Sequence, residues 1–335
     1  MTHGWRAWRV CPVWRLVGAV SAVLALLGTG APLAAATLTL APGQSLAEVL
    51  RRAADGDVIE LAGGDYRGEV GVIEQKRLTL RGVGGRPVLH AAGRHAEGKA
   101  ILVVRQGEVL IENIEFRGSR VPDGNGAGIR FERGRLTVLR CAFFDNQNGI
   151  LTANFDDSEL VVQDSEFGQA PPGASLPHLL YVGAIARFTL SGSRLGGGAQ
   201  GHLVKSRARV SEVRNNRLVD GPNGQAAYEL EFPNGGMVRV VGNVIGQSAG
   251  SSNPVLVSYG VEGYGAWPHG LVFSDNTLVN EGSRAAVFVR VRPATPPVAL
   301  QVTGNRLFGP GDPGAATATQ GNTQLPLSAL PALRP

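Results

Sequence analysis

One stretch decides the fold: Val138-Leu139-Arg140-Cys141-Ala142-Phe143-Phe144. Its pattern, alternating apolar and polar residues followed by a turn and an apolar pair, occurs eight times in register along the chain. The final apolar residues lie at positions 116, 144, 167, 195, 218, 245, 278 and 307. Intervals of 23–33 residues hold short strands and tight turns but leave no room for a strand with a crossover helix. The repeat therefore predicts an all-β solenoid of stacked parallel coils.

A polar residue recurs at one turn of the later coils. Like residues stack on like in a solenoid, so these side chains should form an internal ladder that satisfies the backbone of the turns. The series comprises Ser165, Ser193, Asn216, Asn243, Asn276 and Asn305.

The residues before the repeat predict a short helix over 45–54 that covers the open end of the solenoid. Ser45 is placed as N-cap and Glu48 as its capping-box partner. Such a helix protects an edge that would otherwise invite aggregation.

With its Gly56-Asp57 turn and its Gly64-Asp65-Tyr66 sequence, this region resembles the right-handed parallel β-helix proteins of the pectin-lyase superfamily. The resemblance covers residues 37–309 and implies one right-handed parallel β-helix domain with an N-terminal capping helix.

The first 36 residues have the pattern of a secretory signal peptide. Arg6, Arg9 and Arg15 precede a short apolar run, and small residues follow up to Ala36, after which we expect cleavage. The alternative is an uncleaved anchor helix. No later apolar stretch approaches 18 residues, so the mature protein is predicted to have no membrane span and to be periplasmic or secreted. Residues 310–335 are rich in Pro, Ala and Thr and are predicted to lack fixed structure.

Composition excludes several classes of protein. The chain has 47 Gly in 335 residues, about twice the usual fraction, but without the triplet period of collagen. The formal charge of +5 falls to +2 without residues 1–36, and no long Lys/Arg run remains, which argues against nucleic-acid binding. Cys141 is the single cysteine after residue 36, so no intramolecular disulfide is expected. Because H-E-x-x-H, C-x-x-C and P-loop motifs are missing, we expect neither a metal nor a cofactor. We also expect a monomer.

A second set of strands lies between the repeated segments and carries the candidate site. Tyr181, Lys205 and Glu231 lie 13 or 14 positions before the next final apolar residue, so they should stack on adjacent coils. Alternation places Arg207 on the same face as Lys205. A parallel row, three positions earlier, comprises His178, His202 and Tyr228.

This patch has the groups needed for proton abstraction beside a carboxylate. β-Elimination from an acidic polysaccharide needs a base, a cation that neutralises the uronate carboxyl and an acid for the leaving oxygen. We assign Lys205 as base, its pKa lowered by the nearby Arg207, which neutralises the carboxyl. Tyr181 or His202 is the acid.

The alternative for the patch is an inactive face of salt bridges. It would join Lys205 and Arg207 to Glu229 and Glu231, all on the outer surface, and contribute little.

The Lys205-Ser206 pair resembles the Lys-Ser strand of the chondroitinase-B and alginate-lyase group, which implies that the Lys is the base. That group has an Arg about one coil later, whereas residues 226–231 contain none. Residues 195–201 likewise lack the acidic calcium ligands of the group. A Gly-His-x-x-Lys-Ser-Arg strand (residues 201–207) and a Pro-Asn-Gly-Gly turn (residues 233–236) also resemble other exported β-helix proteins.

Aromatic residues concentrate in the longest interval between coils. They can form a platform for sugar rings or pack the loop. The group comprises Tyr259, Tyr264, Trp267 and His269. Of these, Tyr259 and Trp267 join His178, Tyr228 and Glu231 as predicted substrate-binding residues.

The sequence thus predicts an exported β-helix protein that binds or acts on an extended, acidic polysaccharide. The predicted reaction is a lyase- or epimerase-type proton abstraction. The alternative function is a non-catalytic glycan-binding or cell-envelope scaffold protein.

Overall fold

Three parallel sheets run along the described part of the chain, which comprises residues 35–173, 176–251, 253–315 and 321–331 of a computed structural model. Each coil passes through sheet 1, sheet 2 and sheet 3 in turn, and every pairing between the strands is parallel. The fold is the right-handed parallel β-helix that the repeat predicts. Residues 1–34, which hold nearly all of the predicted signal peptide, lie outside the described residues.

The strands are numbered in chain order. Sheet 1 contains β1 Thr37–Leu40, β2 Val58–Ala62, β5 Arg77–Val83, β8 Glu108–Glu112, β11 Arg135–Leu139, β14 Glu159–Gln163, β17 Arg187–Ser191, β20 Val210–Arg214, β23 Met237–Val241, β26 Gly270–Ser274 and β29 Ala299–Thr303. Sheet 2 contains β3 Asp65–Arg67, β6 Val88–His90, β9 Glu115–Arg117, β12 Ala142–Phe144, β15 Glu166–Gly168, β18 Arg194–Leu195, β21 Arg217–Val219, β24 Val244–Gln247, β27 Thr277–Asn280, β30 Arg306–Phe308 and β32 Thr323–Leu325. Sheet 3 contains β4 Gly71–Ile73, β7 Ala100–Val104, β10 Ala127–Phe131, β13 Asn148–Thr152, β16 His178–Val182, β19 His202–Ser206, β22 Tyr228–Phe232, β25 Val255–Tyr259, β28 Ala286–Val291 and β31 Gly311–Gly314.

The core lies inside the coils and is built by stacking like residues. In sheet 1 the alternation is strict, as in β11, where Leu136 and Val138 are fully buried between exposed or half-buried neighbours. In sheet 2 the rings of Phe116, Phe143 and Phe167 stack with centroid distances of 5.1 and 4.6 Å. Burial of each such side chain contributes roughly 1.5–3 kcal/mol.

The predicted polar ladder lies between sheets 1 and 2 and is confirmed. Ser165 Oγ accepts from the backbone N–H of Cys141, and Ser193 Oγ accepts from that of Ser165, both at 3.1 Å. The asparagines continue the series, since Asn243 Oδ1 accepts from both the backbone and the side-chain N–H of Asn216. Each rung therefore satisfies buried turn backbone that water cannot reach. The thiol of Cys141 is free and buried at this turn.

The capping helix, α1, spans Leu46–Arg52 and is confirmed. Ser45 Oγ accepts from Glu48 N at 3.4 Å, as the capping box requires. Leu46 and Leu50 are buried over β4, where Gly71 allows their close approach, because a Cβ there would lie 2.4 Å from Leu50 Cδ1.

Part of the segment 310–335, which was predicted to lack fixed structure, forms strands in the described residues 311–314 and 323–325. Its strands β31 and β32 pair with β28 and β30, so the coil pattern continues past Gly309. A 3₁₀ helix follows over Leu327–Ala329. Pro and Ala did not prevent this order, because backbone hydrogen bonds to the preceding coil hold these strands. Among the described residues no helix is long and apolar enough to cross a membrane.

Candidate functional site

The outer face of sheet 3 carries the predicted patch. Tyr181 pairs in register with Lys205, and Lys205 pairs with Glu231, so these three side chains stack on successive coils as the spacing predicts. The second row also forms: the rings of His178 and His202 lie 4.7 Å apart, and those of His202 and Tyr228 lie 5.0 Å apart.

In strands β16, β19 and β22, the positions that face outward are three residues apart rather than two. In β19, His202 and Lys205 face outward while Leu203 and Val204 lie in the hydrophobic core. The prediction that Glu229 lies on the outer face is therefore wrong. Glu229 follows an outward residue directly and is fully buried, with both carboxyl oxygens lacking a hydrogen-bond partner among the described residues.

Lys205 and Arg207 are joined through carboxylates. Lys205 Nζ lies 3.1 Å from Glu231 Oε2 and 2.9 Å from Glu262 Oε1. Arg207 Nη1 donates to Glu262 Oε2 at 2.7 Å, and its Nε donates to Tyr181 Oη at 3.1 Å. The four charged groups form one network on a single face, with two cations and two carboxylates.

The network is partly buried. The side chain of Lys205 is 12% exposed and that of Glu231 is 3% exposed, whereas Glu262 is 43% exposed. The loop at residues 260–269 reaches over this part of sheet 3 and supplies Glu262. Lys205 is therefore not a solvated surface lysine, and its contacts are less screened than those of exposed pairs.

Burial sets the protonation of the imidazoles. It lowers the pKa of His202 to about 2 and that of His178 to about 3, with neighbouring basic side chains acting in the same direction. Both rings are therefore neutral at physiological pH. His178 Nδ1 accepts from the backbone N–H of His202 at 3.0 Å, which puts the His178 proton on Nε2.

The two carboxyls of the network differ in environment. Burial raises the pKa of Glu231, although Lys205 opposes the shift. The hydrogen bond from Arg207 lowers the pKa of Glu262, and Lys205 adds to the effect. Glu262 is thus the firmly ionised member.

Glu262 was missed by the sequence analysis, as was Asn234, whose Oδ1 accepts from Arg207 Nη1. A signal existed, since Glu262 is the only acidic residue between positions 253 and 269, in the aromatic-rich interval between coils. Asn234 lies in the Pro-Asn-Gly-Gly turn. The partner of Lys205 and Arg207 could not be identified without the path of the loop.

The aromatic residues of the long interval mainly build this loop. Tyr259 is fully buried, and its hydroxyl donates to Gly236 O at 2.6 Å, so its prediction as a substrate-binding residue is wrong. His269 Nδ1 accepts from Gly236 N at 3.0 Å. Tyr264 and His269 pack against Gly235, where φ is +71° and a Cβ would lie 2.7 Å from the Tyr264 ring. Trp267 is half-buried, and its ring lies 6.4 Å from that of His269.

Buried polar atoms without a well-aligned hydrogen bond concentrate on this face. Within the described residues they include Asn148 Oδ1, His202 Nδ1, Glu231 Oε2 and Ser258 Oγ. His202 Nδ1 and Glu231 Oε2 lie 3.2 Å apart, which leaves Asn148 and Ser258 as unpaired groups on either side of the network. Their register places Asn148 beside His178 and Ser258 beside Glu231. Such groups cost stability and are typical of functional sites.

Over the described ranges no three His, Cys, Asp or Glu side chains come together as a metal site would require.

Comparison with protein-family models finds no match, and neither does comparison with curated proteins. Solved structures that resemble the chain include the crystal structure of pectate lyase Pel9A, with a TM-score of 0.39 and 12% identity, covering 81% of this chain and 78% of that one. Another is the Dettilon tailspike protein (gp208), with a TM-score of 0.38 and 12% identity, covering 87% of this chain. The matched region spans 60% of the tailspike chain. The chain is a right-handed parallel β-helix, by the sheet topology described above.

Proposed function

We propose that the outer face of sheet 3 around Lys205 binds an extended acidic polysaccharide and abstracts a proton from it, as a lyase or an epimerase does. The observation that carries this proposal is the partly buried pair of Lys205 and Arg207, joined through the one carboxylate of Glu262. A face that repeats every ~4.8 Å along the coils suits a polymer, because each coil can contact a successive sugar.

The two cations suit a uronate carboxyl. Lys205 Nζ and Arg207 Nη1 lie 2.9 and 2.7 Å from the two oxygens of one carboxylate, that of Glu262. Charge-assisted hydrogen bonds of this kind are the stronger ones, and they stabilise the negative charge that develops on the carboxyl when the neighbouring carbon loses its proton.

The base is better assigned to His202 than to Lys205. Lys205 Nζ already contacts two carboxylates, which is the geometry of a cation that binds the uronate carboxyl. His202 Nδ1 faces Glu231 Oε2 at 3.2 Å, a contact that orients the imidazole so that Nε2 can accept a proton. The carboxylate also stabilises the imidazolium that forms, which opposes the lowering of the His202 pKa by burial.

Tyr181 has the position of the acid. Its oxygen accepts from Arg207 Nε at 3.1 Å, so its own O–H remains free to donate, and the cation stabilises the phenolate that results. In elimination His202 takes the proton beside the carboxyl, the bond to the leaving oxygen breaks, and Tyr181 protonates that oxygen. In epimerisation His202 takes the proton from one face of the carbon, and Tyr181 donates its own proton to the opposite face of the same carbon.

The test is incubation of the full chain with alginate, polygalacturonate and glycosaminoglycans. Elimination creates unsaturated uronate, followed by ultraviolet absorbance, and epimerisation in deuterated water introduces deuterium detectable by NMR. We expect product that His202→Gln and Tyr181→Phe each lower by about 10²-fold or more. Lys205→Gln should also abolish it, whereas Lys76→Gln, at an exposed lysine, should not. Folded protein that neither binds nor alters any uronate polymer would refute the proposal.

The second candidate is a non-catalytic glycan-binding protein. The observation in its favour is that Glu231 and Glu262 neutralise both cations, so the network is complete without a substrate. Binding without product, which Lys205→Gln weakens, would favour this alternative.

A further inference from the structure

The carboxylate of Glu262 is shared between two cations. Its Oε1 lies 2.9 Å from Lys205 Nζ and its Oε2 lies 2.7 Å from Arg207 Nη1. Glu231, by contrast, approaches Lys205 through one oxygen only, at 3.1 Å. A uronate carboxyl bound by the same two cations would occupy the place that Glu262 holds.

The backbone that carries Glu262 is fixed. The N–H of Glu262 donates to Pro233 O at 3.0 Å, and that of Gly265 donates to Asn234 O at 3.1 Å. Arg292 Nη1 donates to Val261 O at 3.0 Å from the next coil. The loop therefore stays over sheet 3 while the side chain of Glu262, 43% exposed, can turn into solvent by a change of rotamer.

When the side chain of Glu262 moves away from the two cations, the charges of the network no longer balance. Lys205 and Arg207 carry two positive charges, and Glu231, even when ionised, carries one negative charge. Without Glu262 the partly buried group holds an excess positive charge, which is costly unless another anion enters. Removal of Glu262 therefore favours entry of an external carboxylate.

We propose that Glu262 is an internal stand-in for the substrate carboxyl, which a uronate must displace before it can bind. This inference rests on the proposed function, since it concerns the same two cations. The apparent affinity for a uronate is then reduced by the fraction of molecules in which Glu262 has left. A single sugar competes poorly with a tethered carboxylate, whereas a polymer gains further contacts on neighbouring coils and displaces it.

Calorimetric titration of the full chain with a uronate oligomer, with monomeric glucuronate and with uncharged glucose tests the proposal. The Glu262→Gln variant keeps the shape of the side chain and removes its charge, and Glu262→Ala removes both. Glu281→Gln is the matched control, an exposed glutamate on a loop between sheets 2 and 3. Thermal unfolding of each variant confirms that it is folded.

We expect both Glu262 variants to bind the oligomer and glucuronate about tenfold more tightly than the wild type. This factor corresponds to a wild type in which Glu262 occupies the site in about nine-tenths of the molecules. Glu281→Gln should match the wild type, and glucose should gain nothing. If the wild type binds the oligomer and the Glu262 variants bind it equally or more weakly, the stand-in is overturned while the proposed function remains. If neither the wild type nor the folded variants bind any uronate, both are overturned.

Discussion

His202 Nδ1 and Glu231 Oε2 lie 3.2 Å apart on neighbouring coils, and the same carboxyl oxygen lies 3.1 Å from Lys205 Nζ. One nearly buried carboxyl thus serves an imidazole and an ammonium group at once. Because Glu231 is 3% exposed, removing its cation should cost far more than breaking a surface pair.

The first prediction is a coupling between Lys205 and Glu231. Lys205→Met leaves a buried carboxyl unpaired, and Glu231→Leu leaves the ammonium without its inner partner, so each should lower the free energy of unfolding by about 2–4 kcal/mol. The double variant should lose less than the sum, because an apolar pair replaces an ion pair. Urea denaturation of the four proteins measures the coupling, and strictly additive losses would contradict it.

The second prediction concerns the buried carboxyl of Glu229. Burial, assisted by the nearby Asp220, raises its pKa well above the usual range. The folded chain therefore keeps a proton that the unfolded chain loses near pH 4.5. This stability is fully present below that pH and is lost as pH rises towards the folded pKa.

Glu229→Gln cannot ionise and should flatten that part of the pH profile. Urea denaturation between pH 4 and pH 8 gives the comparison. Asp220, whose pKa burial also raises, remains in both proteins, so the difference between them reports Glu229 together with its interaction with Asp220. Parallel profiles for wild type and variant would show that Glu229 is ionised when folded.

The register of the site strands was predictable from the sequence, whereas the side of the sheet on which each side chain lies was not. Elsewhere the repeat was one residue out, since Phe143 rather than Phe144 pairs with Phe116 and Phe167. Parallel coils stack in register, so a fixed offset from the repeat located Tyr181, Lys205 and Glu231 correctly. Glu229 was misplaced because strict alternation was assumed in strands whose outward positions lie three residues apart. Tyr259 was grouped with the aromatic residues of the long interval, whereas it ends β25 and pairs with the core residue Phe232.

The position of Glu262 depends on contacts distant in sequence. Its loop is held by Tyr264, whose hydroxyl donates to Arg292 O, and by His269 on the Gly236 backbone. No repeat spacing encodes these anchors. The sequence therefore predicted the cations of the site but not the carboxylate that joins them.

The third prediction concerns the asparagine ladder. Asn243 Nδ2 donates to Val213 O and Asn276 Oδ1, and its Oδ1 accepts from Asn216. Asn243→Ala leaves these buried groups unpaired and should lower the free energy of unfolding by about 2–4 kcal/mol. Asn243→Ser should cost less, because serine fills the equivalent place at Ser165 and Ser193. In urea denaturation the exposed Asn125→Ala should change little, and an equally small loss for Asn243→Ala would contradict the ladder's role.

The last prediction separates the two tyrosines that the sequence placed together in the site. Tyr259 is a core residue whose hydroxyl donates to Gly236 O at 2.6 Å, so Tyr259→Phe should lower the free energy of unfolding by about 1–2 kcal/mol and leave uronate binding unchanged. Tyr181 is half-buried and meets Arg207 Nε at 3.1 Å. Tyr181→Phe should therefore change stability by less than about 1 kcal/mol while it removes the acid and, with it, product formation. Urea denaturation and the uronate assay on both variants make the comparison. Loss of product in folded Tyr259→Phe, with Tyr181→Phe fully active, would reverse the assignment. The reaction would then depend on a buried core residue rather than on the outer face of sheet 3.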